Sequence, residues 1–98
     1  SCEIVDLRTI RPMDHETVLN SVKKTNRLVV LEEAWPFGSV ASEITYIVQE
    51  RAFDYLDAPI QRITTADTPA PYSPVLLKEW LPNAGDVVKA VKKVMYRK

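Results

Sequence analysis

"RLVVLEE", residues 27–33, places four apolar residues in a row, Leu28 to Leu31, between a charged start and a charged end. The run has the length of a strand and lacks the alternation of one that faces water on one side. Such a strand is covered on both faces, the usual situation in a parallel sheet. Parallel strands need long crossovers, usually helical, so the flanking segments decide the fold.

Downstream, "AWPFGS" (34–39) reads as a loop whose last residue, Ser39, can cap a helix. Val40, Ile44, Ile47 and Val48 then follow helical spacing. That helix is expected to end near Arg51, with Phe53 packing behind it. "PIQRITT" (59–65) reads as a strand with Pro59 at its first position, where a missing N–H matters least. Upstream, "MDHETVLNSVKKT" (13–25) carries a helix. Asp14 is its N-cap, and Met13 and Val18 occupy the two places of a hydrophobic staple. Glu16 in the first turn and Lys23 and Lys24 in the last complement the helix dipole. Val18, Leu19 and Val22 form its apolar face. Before it, "EIVDLR" (3–8) has strand composition, and Pro12 keeps Arg11 out of the helix.

The C-terminal third begins with "ADTPAPYSP" (66–74), a proline-rich loop. Ser73 and Pro74 open a short helix, "VLLKEWL", and Pro82 closes it. Asp86 is read as the cap of a last helix with a core stripe of Val87, Val91, Val94 and Met95. Lys92, Lys93, Arg97 and Lys98 suit its C-terminal end. The order β-α-β-α-β-loop-α predicts an α/β fold of three layers, α/β/α, around a mainly parallel sheet with right-handed crossovers. No internal repeat or linker divides the 98 residues, so residues 1–98 read as a single domain.

Thirteen basic residues balance thirteen acidic ones, which supplies no general field for nucleic acid or an anionic membrane. The hydrophobic fraction of 46% is enough for a core. A single cysteine, Cys2, and a single histidine, His15, cannot form a disulfide or a zinc site. No apolar run approaches the roughly 20 residues of a membrane span, and the first ten residues do not form a secretory signal. With only Gly38 and Gly85, there is no glycine-rich phosphate loop. His15 reads as a solvated helix residue. Glu32 and Glu33 sit at the C-terminal edge of a buried strand, where α/β sheets place ligands. They could serve an independent small-ligand module, although a solvated pair is the plainer reading. Trp35 and Trp80 read as core or interface residues. Asp57, in "DYLDAPIQRIT" (54–64), reads from its position alone as an Asx-turn residue leading into the strand at Pro59. Spacing and composition thus describe an α/β module with no catalytic residues assigned.

Four stretches in order add a resemblance: "EIVDLRTIRPMD" (3–14), "KKTNRLVVLEEAWPFGSVASEI" (23–44), "AFDYLDAPIQRIT" (52–64) and "ADTPAPYSPVL" (66–76). Together they resemble the C-terminal domain of the pyruvate dehydrogenase (2-oxoacid dehydrogenase) beta subunits, itself transketolase C-terminal-domain-like. "DLRTIRPMD" alone would indicate only the wider transketolase group. "LDAPIQRIT" and "TPAPYSP" look most like the pyruvate enzyme. Branched-chain 2-oxoacid and acetoin dehydrogenase subunits are similar and usually differ at the position of Asp57.

The resemblance implies a complete enzyme of alpha and beta subunits with thiamine diphosphate and magnesium at their interface. It decarboxylates pyruvate and acetylates the lipoyl arm of the acyltransferase core. The family's cofactor contacts and catalytic histidine belong to another domain, so no cofactor, metal or catalytic role passes to this chain. The implied role is assembly with the alpha subunit and a second beta subunit, and docking of the peripheral subunit-binding domain of dihydrolipoyl acetyltransferase. Asp57 matches the docking carboxylate, and the chain end at Lys98 is used there too. The implied location is the bacterial cytoplasm, or the mitochondrial matrix in a eukaryote. The family domain also has a strand and a helix before the segment matching Cys2 to Arg8, which implies that this chain is a fragment of a longer beta subunit. That strand would lie between "EIVDLR" and "LVVLEE", leaving two open edges. The expectation is that these two strands pair directly or that another chain fills the gap.

Overall fold

Asp14 opens the first helix, α1 (His15–Thr25), in a computed structural model that describes residues 2–96. Its carboxylate accepts from the Thr17 amide at 3.2 Å and from the Thr17 hydroxyl at 2.6 Å. The helix ends at Asn26, whose N–H still bonds the Val22 carbonyl at 2.7 Å and whose left-handed backbone (φ 66°) then turns the chain out of the helix. Asparagine tolerates that conformation better than most residues. Helix α2 (Val40–Ala52) starts at Ser39, whose hydroxyl accepts from the Ser42 amide at 3.3 Å. Val18, Leu19 and Val22 of α1 join Ala41, Ile44, Val48 and Ala52 of α2, with Val30, in one buried cluster.

Val30 belongs to strand β1 (Val29–Leu31), which pairs in parallel with β2 (Gln61–Ile63) in the register Val29↔Gln61, Val30↔Arg62, Leu31↔Ile63. The pairing continues beyond the strands, from the Gln61 amide to the Leu28 carbonyl and from the Glu32 amide to the Ile63 carbonyl. Side chains alternate along a strand. Val30 therefore enters the α1–α2 layer, and Ile63, buried but outside that cluster, faces the opposite side. Helix α4 (Ala84–Val94) packs on both strands. The expected α/β/α layering is present, around a sheet of two described strands.

Residues 3–8 do not form the expected strand. They keep its alternation, with Val5 and Leu7 packed on the α1–α2 cluster and Ile4 89% exposed. What is missing is a neighbouring strand to exchange hydrogen bonds with, since β1 pairs only with β2 among the described residues. Glu3 instead ties the segment to α1, accepting from the Ser21 hydroxyl at 2.8 Å and lying 3.5 Å from the Lys24 ammonium. Direct pairing with residues 27–33 is not made.

Three further expectations are corrected. The cap of α4 is Asn83, not Asp86. Asn83 is extended, its side chain accepts from the Asp86 amide, and Asp86 answers from the third helical position, each bond at 3.0 Å. This is a capping box. Met95 is 41% exposed, because a two-stranded sheet is too narrow to bury the whole stripe, whereas Val94 is buried. Phe53 begins a 3₁₀ turn (Phe53–Tyr55) and is 63% exposed rather than packed. Between β2 and α4, helix α3 (Pro74–Trp80) follows Ser73 with Pro74 at its first position and buries none of its residues.

Candidate docking site

Asp57 follows the 3₁₀ turn and precedes β2, and its backbone is fixed at both polar groups. Its amide donates to the Asn26 carbonyl at 2.8 Å, and its carbonyl accepts from the Tyr96 hydroxyl at 3.2 Å. Asn26 adds a second tie, its side-chain amide donating to the Tyr55 carbonyl at 2.8 Å. The left-handed cap of α1 thus holds the turn from both sides.

The Asp57 carboxylate takes no part in this. Among the described residues it accepts no backbone hydrogen bond, so the Asx-turn reading does not hold. Its side chain is 58% exposed, and an Arg27 Nη1 lies 4.0 Å from Oδ2. That separation gives an ion pair rather than a hydrogen bond. Arg27 is itself anchored, its Nε donating to the Val94 carbonyl at 2.8 Å, which also compensates the C-terminal end of α4. Lys23 stands 5.6 Å over the Tyr55 ring, within cation–π reach. The result is a fixed backbone presenting a half-free carboxylate, with the Arg27 guanidinium beside it and the Tyr96 hydroxyl on its backbone carbonyl. Lys98, the other candidate, lies outside the described residues.

Sequence reasoning missed Asn26, Arg27 and Tyr96 as parts of this site. Asn26, just past a helix ending in Lys-Lys-Thr, carried a legible C-cap signal. The roles of Arg27 and Tyr96 depend on where α4 ends against residues 26–57, and no local pattern encodes that.

The other candidates have structural occupations. Glu32 accepts from the Ala41 amide at 2.8 Å, so its charge sits at the N-terminus of α2. Glu33 is exposed, and the structure does not bring the two into one cavity. His15 is half-buried and, with Met13, Val18, Ile44, Ile47 and Val48, lines a crevice with no room for a ligand. Trp35 and Trp80 both donate to the Thr68 carbonyl, at 2.8 and 2.9 Å, and clamp the proline-rich loop. Cys2 is exposed and unpaired with another cysteine. Among the described residues no group of three or more His, Cys, Asp or Glu side chains could hold a metal ion. No described helix is long and apolar enough to cross a membrane.

Comparison with known proteins gives this geometry a context. The family profile described as "Transketolase, C-terminal domain" matches residues 1–87. The chain is 56% identical over 95 residues to the pyruvate dehydrogenase E1 component subunit beta of Rickettsia conorii, covering 97% of this chain and 29% of that protein. It is 58% identical over 95 residues to the protein of the same name from Rhizobium meliloti, covering 97% of this chain and 21% of that protein. The mitochondrial subunit of Dictyostelium discoideum is 48% identical over 97 residues, with coverage of 99% and 27%. The chain therefore spans under a third of the length of these curated relatives. The family match covers most of the chain, and the chain belongs to the transketolase C-terminal domain family.

Proposed function

We propose that this chain is the C-terminal domain of the beta subunit of a thiamine-diphosphate-dependent pyruvate dehydrogenase component, and that it works by assembly and docking rather than by chemistry. The complete enzyme decarboxylates pyruvate and passes the acetyl group to a lipoyl arm. The cofactor supplies that chemistry where the rest of the enzyme holds it. This domain joins the beta subunit to the alpha subunit and to a second beta subunit, and it presents Asp57 to the peripheral subunit-binding domain of the acyltransferase. The location that follows is the bacterial cytoplasm, or the mitochondrial matrix in a eukaryote.

The observation that carries the docking role is the division of labour at Asp57. The turn is held by Asn26 and Tyr96 through the backbone, so the fold does not require the carboxylate. A carboxylate that is 58% exposed on a fixed backbone needs little ordering when it meets a basic partner. Charge-assisted hydrogen bonds of that kind contribute about 1.5–3 kcal/mol.

The substrate is tested by co-expressing the full-length subunit that carries this chain with its alpha subunit. Turnover that depends on added thiamine diphosphate, read as reduction of an artificial electron acceptor, is then assayed with pyruvate, a branched-chain 2-oxoacid and acetoin. The expected order places pyruvate first by at least tenfold in kcat/KM. Preference for either of the other two would transfer the chain to that branch of the family.

A further inference from the structure

Gln61 and Ile63 direct their backbone groups at β1, the Gln61 amide to Leu28 and the Ile63 carbonyl to the Glu32 amide. In a parallel ladder the residues between them point the opposite way. The N–H and C=O groups of Arg62 and Thr64 therefore form an open edge, and among the described residues β2 has no second strand partner. The Arg62 side chain is not at this edge, because its guanidinium crosses to the α2 side and donates to the Pro36 carbonyl at 2.7 Å and the Ser42 hydroxyl at 2.9 Å.

Helix α4, which packs on both strands, brings one flank close to this edge. Gln61 to Thr64 on one side and Asp86, Lys89, Ala90 and Lys93 on the other line an open groove of about 410 Å³. The two walls match in length: four strand residues rise about 10 Å, and the helix from position 86 to position 93 rises about 10.5 Å. Asp86 is engaged in the capping box. Lys89 and Lys93 are exposed, and among the described residues neither lies within 4.0 Å of a carboxylate. One wall thus offers unpaired strand hydrogen bonds and the other offers two unpaired ammonium groups.

We propose that this groove binds an extended acidic segment of a partner protein, which adds to the free edge of β2 as a strand and sets alternate carboxylates against Lys89 and Lys93. The spacing supports the pairing. Residues four apart on a helix are separated by about 6 Å along its axis, and alternate residues of a strand by about 6.6 Å. An acidic-x-acidic segment therefore meets both lysines while its backbone pairs with Arg62 and Thr64. Strand addition of this type takes affinity from the main chain and specificity from alternate side chains. The proposal is independent of docking at Asp57.

The test is fluorescence anisotropy on the full-length protein that carries this chain, using a labelled, end-blocked peptide Thr-Glu-Val-Glu-Thr. Saturable binding is expected. It should weaken at least tenfold with the glutamine-for-glutamate peptide and to a similar extent in the Lys89→Gln, Lys93→Gln double variant, while Asp57→Asn leaves it unchanged. Two N-methylated peptides read the strand pairing without altering the protein. One is methylated at its first, third and fifth residues, the other at its second and fourth. One of them should lose binding and the other keep it, because a strand pairs through one edge at a time. No saturable binding, equal binding of the glutamine peptide, or equal behaviour of the two methylated peptides would overturn the proposal. Displacement by an equal concentration of inorganic phosphate would reduce the groove to a general anion site and overturn it as well.

Discussion

The Thr17 hydroxyl and amide both bond to the Asp14 carboxylate, and these two contacts, the hydroxyl first, hold its pKa below the ordinary carboxylate value. A group whose pKa is lowered by folding stabilises the fold above its unfolded value, near 4, and that contribution is lost as pH falls through the lowered value. Asp14→Ala should therefore lower the thermal midpoint fully at pH 6 and progressively less below about pH 4. Asp14→Asn keeps a capping oxygen and should show little of that pH dependence. Melting curves of both variants from pH 7 to pH 2.5 check this; a gap for Asp14→Ala that stays constant into acid would show that the carboxylate charge is not what the cap uses. Asp57 contrasts with it at the same scale. The carboxylate that caps α1 was legible from the spacing of Asp14 and the helix that follows. The one that caps nothing was not, because its turn is held by residues 31 positions earlier and 39 later in the chain.

At the scale of elements, hydrophobic patterning located α1, α2, β1, β2 and α4 within a few residues, although β1, expected to be covered on both faces, buries Val30 and leaves Leu31 53% exposed. It failed for residues 3–8, whose alternation is strand-like but whose hydrogen-bond partner is absent from the described residues. Helix ends were legible where one side chain caps one amide, and misread at α4, where Asn83 and Asp86 act as a pair. Asn83→Ala removes the acceptor for the Asp86 amide and should cost about 1 kcal/mol of stability in urea unfolding; no change would mean that Asp86 alone suffices. The loop before α3 depends on a different device. Trp35 and Trp80, 45 positions apart, share the Thr68 carbonyl as acceptor. Either tryptophan changed to phenylalanine leaves that carbonyl bonded to the other, so each single variant should lose about 0.5–1.5 kcal/mol or less. The double variant should open residues 66–73 to proteolysis well beyond the sum of the two. Equal cleavage of single and double variants would argue against a shared clamp.

On the scale of the whole molecule, the main core is small. One cluster between α1, α2 and β1 holds most of the buried apolar residues, and Val22 and Val48 are its largest fully buried side chains. Val48→Ala removes two methyl groups from a site with no exposure and should cost roughly 2 kcal/mol. Val88→Ala, at a position 53% exposed on α4, should stay within about 0.5 kcal/mol. Chemical denaturation of the pair tests whether the α1–α2 layer carries the stability. The radius of gyration of 14.1 Å exceeds the roughly 13 Å usual for this length, since residues 2–10 and the α3 segment spread over the surface. Ile4, Phe37 and Tyr72 stand out almost fully exposed. Layering and strand direction were legible in the sequence because they follow from element order. The width of the sheet was not, since it depends on which strands find partners.

The central claim, that Asp57 is a docking carboxylate, is tested most directly by calorimetry on the assembled dehydrogenase. The peripheral subunit-binding domain of the acyltransferase is titrated into enzyme carrying Asp57 or Asp57→Asn. The substitution removes the charge but keeps a turn-compatible oxygen, and it gives up only the 4.0 Å contact with Arg27, worth at most about 1 kcal/mol. The expected result is an unfolding midpoint close to that of the parent and an affinity weakened by roughly tenfold to a hundredfold. An affinity equal to that of the parent enzyme would contradict it.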